Sequence, residues 1–384
     1  MRARGFTLVE VMVAALVASL LVTFVLSLAR TQIGAFEQNS QVSGAQQNGR
    51  AGIEFLEPVL RDTCAGISSG LIEVNLASRG GASATDFQTA CLRVWNGANI
   101  TSGVANATAS GGSFSPGASA SRPDAIELVY ANGRAYTRAV GSAATGTNPV
   151  ITVPDTTGFQ TGDYVLLTND YVTAVLTGPV TVNATAGTIT VSGLSVALDK
   201  ASRAASLIDT TLGTSVFSAR SIAFYVDQSN AQNPVLMYDP DGLAGPTHSD
   251  AVPLVEGVED FQIAVANDGR TCPGCVSCDG IAQGTGATAP NDEWIGNDPS
   301  ADEFPLPTPS TAAPWVPVTC TAGAARLLSL RASLLVRTLN SYAGASTNVS
   351  VIEDRTSYSA TLSGGPRRRV FQLEVAPREW SLTE

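Results

Sequence analysis

Hydrophobic and polar positions divide this chain into three stretches with different periods. From Val11 to Ala29 there are 19 consecutive uncharged residues, most of them large and apolar. As a helix they measure about 28 Å, the thickness of a bilayer's hydrocarbon core, so a transmembrane helix over residues 6–29 is predicted. Over 30–62 the apolar residues Ile33, Phe36, Ile53, Leu56 and Leu60 recur at helical spacing among Gln, Asn and Ser, which predicts an amphipathic helix continuing the first. Unbroken from Phe6 to Arg61, such a helix is about 84 Å long. Gly34, Gly44, Gly49 and Gly52 each cost up to about 1 kcal/mol within it and predict local melting or bending, and Pro58 predicts a kink in the last turn.

From 63 to 384 the chain turns to short runs rich in Val, Thr, Ser and Gly, several alternating with period two. Predicted strands include AIELVYA (125–131), DYVLLTN (163–169), TITVSG (188–193), SIAFYVD (221–227), NPVLMYD (233–239), VEDFQIAV (258–265), SLLVRTL (333–339) and VFQLEVAP (370–377). In the last, Phe371, Leu373 and Val375 point one way and Gln372 and Glu374 the other, the mark of a half-buried antiparallel strand. The fold class is therefore α+β, a long amino-terminal helix packed on a large antiparallel β head. Low-complexity runs at 101–123 and 284–314, the second within a cysteine-bearing region 268–320, read as surface loops outside the core. Turn signals between 136 and 200 suggest a small β-module there.

One charge interrupts the apolar start: Glu10 is alone between Phe6 and Ala29. An acidic residue at the centre of a membrane helix costs roughly 3 kcal/mol on insertion scales, less near an end, so it calls for a partner. Arg2 and Arg4 precede the apolar run, which puts the amino terminus in the cytoplasm and everything beyond Arg30 outside. The stretch RGFTLVEVMVAALV resembles the class III signal of type IV pilins and pseudopilins: a short basic leader ending in Gly, then Phe, then Glu at the fifth mature position. The resemblance implies a prepilin peptidase that cuts between Gly5 and Phe6, removing leader 1–5, and methylates the Phe6 amine. It also implies that the Phe6 amine and Glu10 carry subunit assembly, the carboxylate pairing with its own amine or that of a neighbouring subunit.

Further along, RPDAIELVYA, GDYVLLTND, RSIAFYVD, NPVLMYD, PLVEGVEDFQIAV, SLRASLLVRT and RRRVFQLEVAPRE together resemble the PilW-type minor pilins and their relatives, the J-type minor subunits of type II secretion. The implied function is a minor pilin that primes assembly of a type IV pilus and sits at or near its tip. A type II secretion pseudopilin and a pilus-displayed adhesin are the alternatives. Implied partners are the prepilin peptidase, other minor pilins, the major pilin and a tip adhesin. The protein would sit in the inner membrane with a periplasmic head, then in a pilus at the cell surface. The 268–320 region lies outside this resemblance.

Composition narrows the chemistry. Lys plus Arg number 22 against 33 Asp plus Glu, a net charge of −11, and such a surface repels nucleic acid. The single histidine, His248, offers little for a catalytic triad, and no enzyme activity or cofactor is expected. Six cysteines in an exported body favour disulfides. Cys64 and Cys91 form the natural first pair. Cys272, Cys275, Cys278 and Cys320 allow three pairings, and their C-x2-C-x2-C spacing also permits a zinc site, although disulfides are the preferred reading and no metal is expected. Asp292, Glu293, Asp298, Asp302 and Glu303 read as solvated loop charge without calcium-loop spacing. Asp239 and Asp241 read as a turn, and Arg367 to Arg369 as an exposed strand start or a basic patch facing an acidic neighbour.

Overall fold

The structure is a computed structural model that describes residues 7–67, 71–76, 87–95, 97–99, 115–116, 122–143, 150–168, 174–191, 214–240, 251–268, 294–296, 326–340, 352–353 and 365–377. Helix α1 (Leu8–Arg61) is followed by β1 (Leu71–Leu76), β2 (Phe87–Ala90), β3 (Leu92–Trp95), β4 (Ala98–Asn99), β5 (Ser115–Pro116) and β6 (Ala125–Ala139). Next come β7 (Gly141–Ala143), β8 (Val150–Thr152), β9 (Tyr164–Thr168), β10 (Ala174–Gly178), β11 (Val180–Asn183) and β12 (Thr188–Val191). The rest are β13 (Thr214–Asp227), β14 (Val235–Asp239), β15 (Val252–Glu256), β16 (Val258–Asp268), β17 (Trp294–Ile295), β18 (Arg326–Arg337) and β19 (Arg368–Val375).

The helix runs unbroken through Gly34, Gly44, Gly49, Gly52 and Pro58, so the melting expected at the glycines is not seen. Two of those glycines are contact points. A Cβ on Gly49 would fall 2.2 Å from the Phe371 ring, and one on Gly52 would fall 2.9 Å from Leu334. Packing against the head outweighs a propensity cost of about 1 kcal/mol per glycine. The helix ends within a turn of Pro58, where the Asp62 amide donates to the Pro58 carbonyl at 3.1 Å.

Two sheets share the main core. In the nine-stranded sheet β13 is central: β6 pairs along its length, while β9 and β14 pair with successive halves of its other edge. All its pairings are antiparallel except β1 with β10. The second sheet has the order β17-β16-β18-β19. Helix α1 lies across the seam, against β15 of one sheet and β18 and β19 of the other. Leu56 and Leu60 enter the core there beside Leu128, Phe224, Phe261 and Leu334, all fully buried. In β19 Phe371 and Leu373 are half-buried and Val375 is buried, while Gln372 and Glu374 are exposed, as the alternation predicts.

Strands β6 and β13 are longer than their apolar runs suggest. Past a register shift at Phe217/Ala219 their ladder continues into a second core of Ala135, Ala139, Ile151, Phe159, Val165, Leu167, Ile189 and Val216. The small sheet β11-β12-β8-β7 closes that core. The boundary drawn at 136 therefore cuts through β6, and β9 and β10 belong to the large sheet. Two further expectations are corrected. Trp294 and Ile295, inside the run read as a loop outside the core, pair with β16 and are buried, in a strand of two residues that no periodicity can reveal. Asp239, read as a turn residue, closes β14 and is fully buried.

Candidate assembly site

The amino-terminal part of α1 stands clear of the head. From Thr7 to Glu37 every residue except the half-buried Ala29 is exposed. It is the one helix among the described residues that is long and apolar enough to cross a membrane, and its most apolar window has no part buried in the protein. Ile33 and Phe36 are 59% and 75% exposed, whereas Leu56 and Leu60 are wholly buried. At about 100° per residue, Ile33 lies diametrically opposite Leu60 and Phe36 nearly opposite Leu56. The amphipathic pattern seen in sequence is thus two apolar faces: one is used by the head and the other is left bare.

Glu10 begins this helix in a capping box with Thr7. Its Oε2 accepts from the Thr7 amide and from the Thr7 hydroxyl, each at 2.9 Å, while the Glu10 amide donates to Thr7 Oγ1 at 3.3 Å. Among the described residues Oε1 accepts nothing, so the carboxylate keeps capacity for a further donor. Gly5 and Phe6 lie outside the described residues. Thr7 was missed by sequence reasoning, although Thr-Leu-Val-Glu is the S/T-x-x-E pattern that announces a capping box.

At the other end the helix is tied into the head. Cys64 and Cys91 form a disulfide with a sequence separation of 27. Cys64 adopts a left-handed φ of 63°, rare for a residue with a side chain, and its amide donates to the Val129 carbonyl at 3.1 Å. Cys272, Cys275, Cys278 and Cys320 lie outside the described residues, as do His248, Asp292, Glu293, Asp298, Asp302, Glu303 and nearly all of 101–123.

Three buried polar groups hold the sheets in register, and none was singled out from sequence. Asp124 joins the two sheets: its amide donates to the Phe261 carbonyl, Oδ1 accepts from the Gly97 amide at 2.9 Å and Oδ2 from the Ile263 amide at 3.0 Å. Glu127, fully buried, pairs with Arg93 at 3.1 Å and accepts from Trp95 Nε1 at 3.2 Å. Burial pulls the Arg93 guanidinium below its ordinary pKa, and the charge of Glu127 opposes that shift. On the outer face of β18, Arg331 grips Glu353 with two bonds of 3.0 and 2.6 Å and stacks 4.5 Å from the Trp294 ring. Ser333 and Gln372 donate to the same carboxylate.

A long capped helix packed on a large antiparallel β head fits an α+β pilin-like fold. Comparison with known families agrees: residues 1–26 match the prokaryotic N-terminal methylation motif, and residues 223–378 match the type IV pilus-assembly protein W family, PilW. These two matches support a type IV pilin-like protein that is similar to the PilW family over residues 223–378. Its methylation motif is that of a subunit processed by prepilin peptidase that assembles with other pilins. No curated protein and no solved structure matches the chain.

Proposed function

We propose that the protein is a minor pilin that primes assembly of a type IV pilus and sits at or near its tip, as a structural subunit and not an enzyme. The observation that carries this is the bare helix of residues 7–37, which has no packing partner among the described residues of its head and needs one once it leaves the lipid. Prepilin peptidase cuts between Gly5 and Phe6, and the new Phe6 amine is methylated. The Glu10 carboxylate then pairs with the amine of a neighbouring subunit, which draws the subunit from the inner membrane and sets its axial register. Ile33 and Phe36 pack on neighbouring helices, other minor pilins or the major pilin. The head begins in the periplasm and ends at the cell surface, where its bulk suits an end of the filament better than a close-packed shaft. A tip adhesin is the partner such a cap would hold.

The test is the amount of pilin sheared from an in-frame deletion strain, compared with its parent and a complemented strain. A collapse restored by complementation is expected. An unchanged yield would overturn the priming role and favour a secretion pseudopilus.

A further inference from the structure

The run Arg367 to Arg369 takes no part in assembly as proposed above, and the fold sets it at a defined height on the helix. Among the described residues of the head, 338–340 and 365–369 lie nearest the apolar span. Here the Asn340 amide donates to Gln41 Oε1 at 3.2 Å. The Gln38 amide oxygen, oriented by its donors, accepts from Arg367 Nε at 3.2 Å and Nη2 at 2.7 Å. Gln38 lies eight residues beyond Arg30, so this rim stands about 12 Å above the edge of the span. Headgroups fill roughly 5–8 Å of that height. The remaining gap is within a Debye length of about 8 Å at physiological salt.

The rim carries the opposite charge to the chain. Arg337, Arg367, Arg368 and Arg369 gather here against Glu259 and, on the helix at the same height, Glu37; four positive and two negative charges leave +2 in a protein of net −11. Glu259 is committed to Arg368, at 2.5 and 2.9 Å. Among the described residues neither Arg367 nor Arg369 has a carboxylate partner; Arg369 lies over the Phe371 ring at 5.6 Å. Leu339 and Val370 are exposed between them, and this mixture of guanidinium and apolar side chain suits a lipid headgroup layer.

We propose that this arginine rim rests on anionic phospholipid headgroups while the subunit is anchored, keeping the head down on the membrane until assembly draws it away. The inference rests on the membrane-anchored reading above. Anchoring holds the rim permanently close to the surface, so weak contacts suffice. A helix tilt of about 20°, ordinary for a single span, lowers one side of the head further. Each arginine near an anionic surface favours the docked state about fivefold.

The test uses the full chain in nanodiscs, with a dye on a non-canonical amino acid in place of Leu339 and an acceptor on the lipid headgroups. Energy transfer is expected to be higher with 30% phosphatidylglycerol than with phosphatidylcholine alone, the gap closing in R367Q/R369Q and in 0.5 M NaCl. Equal transfer in both lipids, from a chain that resists carbonate extraction, overturns the proposal, as does a gap that survives in R367Q/R369Q. Equal transfer accompanied by arginine-dependent self-association would hand the rim to a neighbouring subunit, again overturning the lipid assignment. Release of the chain by carbonate would instead strike the anchored reading and this inference with it.

Discussion

Glu10 is costly in lipid and yet is held by Thr7, which supplies an amide and a hydroxyl to one carboxylate oxygen; the proposed pairing would bring an amine to the other. Glu10→Ala should therefore leave cleavage after Gly5 intact while the subunit fails to enter filaments, read as processed protein that stays in the membrane fraction and is missing from sheared pili. Normal incorporation would refute the pairing. Glu127 makes a different kind of claim. Its buried carboxylate compensates Arg93 and receives the Trp95 indole, so removing its charge takes a buried counter-ion from a buried guanidinium. Breaking one side of such a pair costs about 3–5 kcal/mol, and Glu127→Gln should lower the chemical-denaturation midpoint of the detergent-solubilised chain accordingly.

Helix α1 and strand β19 meet at Gly49, where the Phe371 ring occupies the space a side chain would need. Gly49→Ala should destabilise the helix–head junction by about 1–3 kcal/mol, typical of overpacking, and Phe371→Ala in the same chain should recover part of that loss. Simple additivity of the two losses in thermal unfolding would argue against the notch. The disulfide closes the helix's other end. Cys64→Ser with Cys91→Ser should lose about 3.5 kcal/mol, the chain-entropy value for a loop of this length, measured by denaturation with the remaining cysteines unchanged. The helix itself was legible from its apolar run and spacing, and β19 from strict alternation. The far halves of β6 and β13 were not, because their residues face a second core whose lining is shared with the small sheet.

A head whose described residues include two large sheets, a small one and a helix laid across their seam, with a bare apolar stem below it, is asymmetric, and under the proposed function such a head suits an end of the filament better than its shaft. Mass spectrometry of sheared filaments should find this subunit far below the major pilin in abundance; comparable amounts would argue against a place at the tip. The methylation motif at the amino terminus was readable as a short linear pattern, since the basic start, Gly5, Phe6 and Glu10 lie within ten residues. Thr7 sat in the same motif, and its capping role went unread although local spacing alone encodes it.

What the sequence by itself determined were the features that depend on neighbours along the chain: a membrane-length helix, an acid near its start and alternating strands; Cys64 and Cys91 it offered only as the natural first pair, which the structure joins. Only the tertiary structure decided which helix face is covered, because Ile33 and Leu60 are equally apolar and differ solely in what packs on them. It also decided that Gly49 and Gly52 are contacts, that Ile295 reaches the main core from a proline-rich run, and that Arg93 finds Glu127 and Asp124 finds Ile263 across long separations. The physical reason is common to all of these. Burial and hydrogen bonding between distant residues depend on how the sheets stack, and the local pattern of polar and apolar positions carries no record of the partner.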